Sequence, residues 1–375
     1  MVIIGGGVIG TSIAFHLAEA GARDVILVEA EQLGSGSTSK AAGGVRLQFS
    51  DAVNIELALR SLDAFEDFSK RPGGEIGLRQ VGYLMLLTEP TDVETFTKSV
   101  ALQNDMGVPS RMLSALEAGA LAPLVDVHDV LAASFCQRDG HADSGAVVRG
   151  YADATRALGV EIRTGCRVTS IVREGGTIVS VDTDRGRIET DTVVCAAGPW
   201  SGRVGALAGV HVPVVPVRRP IWYTEPMAEL PRDHPFTIDF SMGFYFHDSG
   251  PGLLFGMADS QQPPGFDVEM RSDWLELVAA VASRRVPRLS DVGIAGGWTG
   301  FYETTPDHNA LIGESRDLSR FFYATGFSGH GFLLAPAVGE VVRDLVLGRP
   351  PVVDVSAFTV ERFQSDNERP EHNII

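Results

Sequence analysis

Three short constellations in this 375-residue chain have residue types and spacing that suit chemistry. The first is Gly5-x-Gly7-x-x-Gly10, set between the apolar run Val2-Ile3-Ile4 and a helix predicted through about Ala20. Such glycines permit a tight turn and let a pyrophosphate approach the helix N-terminus, where the dipole favours negative charge. Glu29 closes a second strand predicted over 24–28, where a carboxylate can accept hydrogen bonds from a ribose diol. The second constellation is "TGFSGHGFLLAP" at 325–336, with His330 among three glycines and an apolar helix predicted from Pro336. It reads either as a tight turn before that helix or as a wall pressed against a bound cofactor. The third is Arg46, directly after the small, polar segment "GSGSTSKAAGGV" at 34–45. A guanidinium fork matches a carboxylate and stays charged, although pairing with a nearby acid is the plainer alternative. Arg218 and Arg219 are weaker candidates, because basic residues on an edge strand are usually solvated.

The elements that must position these groups follow from periodicity and punctuation. A strand, a glycine turn, a helix stopped at Gly21 and a second strand form the βαβ context that a lone glycine motif lacks. The segment 30–50 is small and polar instead of opening the next helix of a simple nucleotide domain, which leaves room for a large extended ligand. Ser35, Ser37, Thr38 and Ser39 can bond phosphate or ribose there. No second nucleotide fingerprint exists, since "GPGLLFG" at 250–256 lacks the strand–turn–helix context, so the sequence favours one tightly held FAD. Helices are predicted over 52–70 and 92–106, and Ser114-x-x-Glu117 resembles a capping box. Strands return to a small-residue turn at Ala197-Gly198. Between Pro213 and Thr304, aromatic strands such as "RRPIWYTEP" and "GFYFHD" predict an antiparallel substrate sheet.

Composition bounds the function. Hydrophobic content of 44% fits a globular α/β chain, and a net charge of −17 argues against a nucleic-acid partner. Cys136, Cys166 and Cys195 are widely spaced and have neither disulfide-framework nor metal-site spacing. No metal is expected, and a cytoplasmic location is. The apolar start stops at His16 without a basic leader, so neither a signal peptide nor a spanning helix is expected.

Together GGGVIG with Glu29, GSGSTSKAAGGVR, DGHADSG, AAGPWS, TTPDHNALIG and GFSGHGF resemble the D-amino-acid oxidase superfamily. Within it they resemble the sarcosine oxidase and L-proline dehydrogenase β-subunit branch. The motifs occur in the family's order over essentially the whole chain. The resemblance implies an α/β two-domain fold, with a glutathione-reductase-like Rossmann domain for FAD and a second, antiparallel-sheet domain for substrate. The expected partition is 1–77, 140–217 and 303–375 for the cofactor, with 78–139 and 218–302 for the substrate.

The resemblance also implies roles. FAD would be held by Gly5, Gly7, Val8, Ile9, Gly10, Glu29, Ala30, Ser37, Thr38, Ser39, Lys40, Ala42, Gly43, Gly44, Val168, Ala196, Gly198 and Trp200. GFSGHGF would wrap the pyrimidine end of the flavin through Gly329, His330, Gly331, Phe332 and Leu333. Arg46 would grip a substrate carboxylate, with His330 and Tyr302 as further catalytic candidates; His330 reads as a base or as a hydrogen-bonding, packing histidine. Phe246, Tyr245, Leu254 and Leu333 would line the substrate pocket, and the resemblance favours the Phe246 side of its strand.

Three positions depart from the pattern. Gly300 replaces a flavin-linking cysteine, so FAD is expected to be non-covalent. Leu254 and Leu333 replace lysines, which puts oxygen reactivity in doubt and leaves a less basic pocket. The implied reaction is hydride removal from the carbon next to a primary or secondary amine to flavin N5, followed by imine hydrolysis. Sarcosine-, proline- and other N-substituted amino-acid-like substrates suit it. Oxygen, a quinone or a partner flavoprotein would reoxidise the flavin, and the chain is expected to act alone or in a homo- or hetero-oligomer. The alternatives are a flavoprotein subunit or assembly factor with structural FAD, and an FAD oxidase of a 2-hydroxy acid or glycerol phosphate.

Overall fold

The computed structural model describes residues 1–375 apart from 229, 232, 365–367 and 375. Val2–Ile4, Ile26–Val28 and Glu161–Arg163 pair in parallel with one another and with Val193–Cys195. Phe321–Thr325 joins the far side of Val193–Cys195 in parallel, and Leu311–Glu314 adds an antiparallel edge. The inner strands read as unbroken apolar runs because helices cover the sheet. The first helix, Val8–Glu19, is buried along nearly its whole length, between the helices Ser144–Ala157 and Gly331–Val346. Gly339 permits that close crossing: Ser12 Oγ donates to Ala335 O at 2.8 Å, and a Cβ on Gly339 would overlap the serine hydroxyl.

The second sheet has eight strands, in the order Ile294–Thr304, Val215–Thr224, Gly252–Met257, Phe244–Ser249, Phe236–Asp239, Tyr83–Leu87, Ala132–Cys136 and Ser110–Leu113. It is antiparallel except where Phe236–Asp239 runs parallel to Tyr83–Leu87. One face buries Leu84, Leu86, Phe244, Phe246 and Phe255 against Val278 and Ala282 of the helix Ser272–Arg285. The other face carries Tyr83, Met85, Ile221, Phe236, Ile238, Tyr245 and Leu254. Period-two alternation separates the two sets.

The helix predicted over 52–70 ends at Glu66, and a π-helical turn covers Ser69–Gly73. The capping box at Ser114 and Glu117 forms. The C-terminal helix starts at Gly331, with Pro336 inside it and not at its start. Two of the strands, Val215–Thr224 and Ile294–Thr304, run across the expected partition at 217 and 302. Among the described residues no helix is long and apolar enough to cross a membrane.

Candidate functional site

A cleft of ≈680 Å³ runs between the two sheets, from the first glycine turn to the Tyr83–Tyr245 face. At its first end Gly5 takes φ +114°, and a Cβ there would overlap the carbonyl of Ala196. Gly10 touches the same turn from the helix side, where a Cβ would overlap the Gly5 carbonyl oxygen. Gly7, Val8 and Ile9 line the cleft with the first turn of their helix, whose N–H groups lack intrahelical acceptors. Thr38 Oγ1 accepts from Val8 N at 3.1 Å, which ties the 34–45 segment to this turn.

Glu29 Oε2 accepts from Gly6 N at 2.7 Å and Oε1 from Glu31 N at 2.8 Å. Each carboxylate oxygen keeps further acceptor capacity, and Glu29 lines the cleft. Backbone donors, a carboxylate and glycines with no room for a Cβ fit the dinucleotide part of FAD. The long remainder of the cleft fits its extended form.

Along the cleft, Ser37 Oγ donates to Phe301 O at 2.7 Å, and Trp298 Nε1 to Lys40 O at 3.0 Å. Both bonds fasten the loop to the Ile294–Thr304 strand. Lys40 Nζ is itself held by Ser35 O at 2.9 Å. Gly300 packs on this loop, and a Cβ there would stand 3.0 Å from that of Lys40. A cysteine at this position would crowd the loop it faces.

Near the sheet, Arg46 is buried and donates to Gln48 O, to Asn373 O at 2.6 Å and to His330 Nε2 at 2.9 Å. Its guanidinium also lies 4.2 Å over the ring of Phe49. An arginine only donates, so Nε2 of His330 is the acceptor and a neutral ring carries its proton on Nδ1. Burial, reinforced by the Arg46 charge, holds His330 well below the usual histidine pKa. That lone pair is committed to Arg46, so Nε2 is not free to act as a base. Asp139 braces the turn behind Arg46, accepting from Leu47 N at 2.9 Å and Gln48 Nε2 at 3.0 Å; burial raises its carboxyl to about 7.

Three phenols face the same space: Tyr83 and Tyr245, both buried, and half-buried Tyr302. Tyr302 packs under Gly329, where a Cβ would meet its ring at 2.6 Å, and carries the guanidinium of Arg219 at 4.7 Å from its centroid. Beside it, Glu303 accepts from Thr325 Oγ1 at 3.0 Å, and burial raises its carboxyl to about 7.

The expected residues Gly5, Gly7, Val8, Ile9, Glu29, Ala30, Ser37, Thr38, Lys40, Ala42, Gly43, Gly44, Val168, Ala196, Gly198, Trp200, Gly329, His330, Gly331, Phe332 and Leu333 all line the cleft, as do Arg46, Tyr245 and Tyr302. Four others do not. Gly10 packs helix on strand, and Ser39 is exposed. Phe246 points to the opposite face of its strand, and Leu254 packs behind Tyr245 in that residue's cluster. The Phe246 side was therefore the wrong side: the strand turns Tyr245 to the cleft, and adjacent positions alternate. Tyr83, Met85, Phe236, Arg219, Glu303 and Asn373 were missed or undervalued as lining residues. Aromatic alternation hints only at Tyr83 and Phe236, and nothing in the sequence points to Asn373. His141, His247 and Asp248 bring ligand-type atoms within 4.8 Å of one another, but Arg79 pairs with Asp248 and no metal is inferred there.

Comparison with known proteins agrees with this geometry. The model of the FAD dependent oxidoreductase family matches residues 1–345. Mouse mitochondrial dimethylglycine dehydrogenase is 30% identical over 382 residues, covering 96% of this chain and 44% of that protein. The formaldehyde-forming 4-methylaminobutanoate oxidase of Paenarthrobacter nicotinovorans is 29% identical, covering 96% of this chain and 45% of its own length. The chain thus spans less than half of these two curated relatives. The crystal structure of L-proline dehydrogenase from P. horikoshii superposes with a TM-score of 0.92 at 32% identity, covering 98% of both chains. A glycine turn with a carboxylate beside it at one end, a guanidinium-and-phenol wall at the other and a family match over residues 1–345 give one conclusion: this chain belongs to the FAD-dependent oxidoreductase family.

Proposed function

We propose that this chain binds FAD non-covalently and oxidises a secondary or primary amino acid at the carbon next to nitrogen. The carrying observation is the single cleft that joins the dinucleotide turn to a wall holding Arg46, Arg219 and three phenols. Gly7, Val8 and Ile9 would meet the pyrophosphate, Glu29 the ribose, and Gly329 to Leu333 the flavin. Bound FAD supplies the two-electron acceptor, and the chain's own residues do the rest.

Arg46 receives the substrate carboxylate with the donors that Gln48, Asn373 and His330 leave over. His330 is a positioning residue, holding the guanidinium through Nε2. Tyr83, Tyr245 and Tyr302 exclude water around the amine and supply hydroxyls to orient it. The relatives named above act, by their names, on N-methylated amino acids or proline, which suits a carboxylate anchor beside an aromatic wall. Reoxidation by a quinone or a partner flavoprotein completes this reading. A cytoplasmic location belongs to the same reading and rests on three buried free cysteines.

The test is anaerobic. The purified yellow protein is mixed with N-methylglycine, proline, other N-methyl amino acids and their decarboxylated analogues while flavin absorbance is followed. Bleaching by amino acids, but not by the decarboxylated forms, is expected. A flavin that no amine or amino acid bleaches would leave the cofactor structural and overturn the reading.

A further inference from the structure

Arg218 and Arg219 are neighbours on one strand and face opposite ways, so the same residue type meets two environments. Arg218 is fully employed. Its Nε and Nη2 donate to Gln262 Oε1 at 3.1 and 2.6 Å, and its Nη1 to Asp267 Oδ2 at 3.0 Å and Glu269 O at 2.6 Å. Arg219 faces the cleft. Its Nη1 donates to Arg218 O at 3.1 Å, its plane lies over Tyr302, and its Nε is buried without a hydrogen-bond partner. Among the described residues no carboxylate pairs with it.

A buried donor left without an acceptor is a rare and costly arrangement. The Nε–Nη2 edge of a guanidinium is one of its two forks for a carboxylate. Arg46 cannot fill the same role twice, because three of its contacts are already taken inside the protein. Both cations line the same cleft as Tyr302, and Arg219 lies against that ring.

Resting on the reading above, we propose that Arg219 is a second carboxylate subsite and that the preferred substrate is a dicarboxylic amino acid. One carboxylate docks at Arg46 and the other at the Nε–Nη2 edge of Arg219, with the amine held between them near Tyr302. In a chain of net charge −17, two such cations at one wall concentrate attraction where a dianion would bind.

The experiment uses the FAD-loaded protein and two readouts. In the first, glutarate and butyrate, which carry no amine to oxidise, are titrated while the flavin spectrum is followed. Glutarate should bind at least about tenfold more tightly in the wild type, and that advantage should vanish in Arg219→Gln. In the second, kcat/KM is compared for N-methyl-L-glutamate and N-methylglycine. Their ratio should fall about 100-fold in Arg219→Gln and by less in Arg219→Lys, which keeps charge but loses the planar fork. Equal binding of glutarate and butyrate by the wild type, or a substrate ratio that Arg219→Gln leaves unaltered, overturns the proposal. If no amine bleaches the flavin, the proposed oxidation fails on its own, and the glutarate titration still decides the subsite.

Discussion

The two ends of the cleft are built by different means. At the glycine-turn end the lining is mostly backbone and glycines that leave room, with the Glu29 carboxylate beside them, and it comes from the first few dozen residues and from the segments 166–168 and 196–198. At the Tyr83–Tyr245 end it comes from side chains on separate strands, from Tyr83 to Tyr302, with the C-terminal tail closing behind Arg46 through Asn373. A backbone cradle tolerates no added atom, whereas a side-chain wall tolerates exchange and changes its specificity. The glycines of the first end should therefore fail completely when given a side chain, and side-chain changes at either end by degrees.

The largest effect is expected at Gly10. Valine there would drive its Cβ into the Gly5 carbonyl, which is backbone and cannot yield cheaply. Gly10→Val should lose nearly all bound FAD, read as flavin absorbance per protein. A variant that purifies yellow would show that the turn is not the rigid cradle described.

Next comes Arg46→Leu, which should cost roughly 3 kcal/mol in kcat/KM, about a hundredfold, for loss of a desolvated charge partner. A two-by-two set, with and without Arg46 and with and without the substrate carboxylate, measures the coupling. Losses that simply add would remove Arg46 from the carboxylate.

Glu29→Ala should be milder. It removes the acceptor proposed for the ribose and the bonds to Gly6 N and Glu31 N, and should weaken FAD binding by about 1.5–3 kcal/mol. Titration of the apoprotein with FAD checks this, and unchanged affinity would assign the ribose elsewhere.

The smallest effect concerns Glu303, whose carboxyl burial raises to about 7. Its folded pKa lies above the unfolded one, so the stability it contributes is present at low pH and lost as pH rises through 7. Between pH 6 and 8 the wild type should lose about 1 kcal/mol relative to Glu303→Gln. Urea unfolding at the two pH values is the measurement, and parallel curves for both proteins would place a normal carboxylate there.

The same contrast explains what could be read in advance. Gly5, Gly7 and Glu29 were legible because their spacing and local βαβ context state the chemistry. Arg46 was legible because it follows a segment of recognisable order. Phe246 was misjudged because alternation shows that neighbours differ in face, yet only packing against Val278 and Ala282 shows which face is inward. Arg219 was undervalued because an edge-strand arginine is usually solvated, and nothing local reveals that the Ile294–Thr304 strand covers that edge and brings Tyr302 beneath it. Asn373 carried no signal at all: its contribution is a backbone carbonyl delivered by a tail that returns across the molecule.

The sequence by itself determined the family, the cofactor class and the strand–turn–helix that receives it, because steric demands on a tight turn are written in adjacent residues. Tertiary structure alone decided which aromatic face lines the cleft, that the His330 lone pair is spent on Arg46, and that Arg219 Nε is buried without a partner. Those outcomes depend on which distant strands and carbonyls consume each donor. A hydrogen-bonding group's spare capacity is a property of its surroundings, not of its neighbours in sequence.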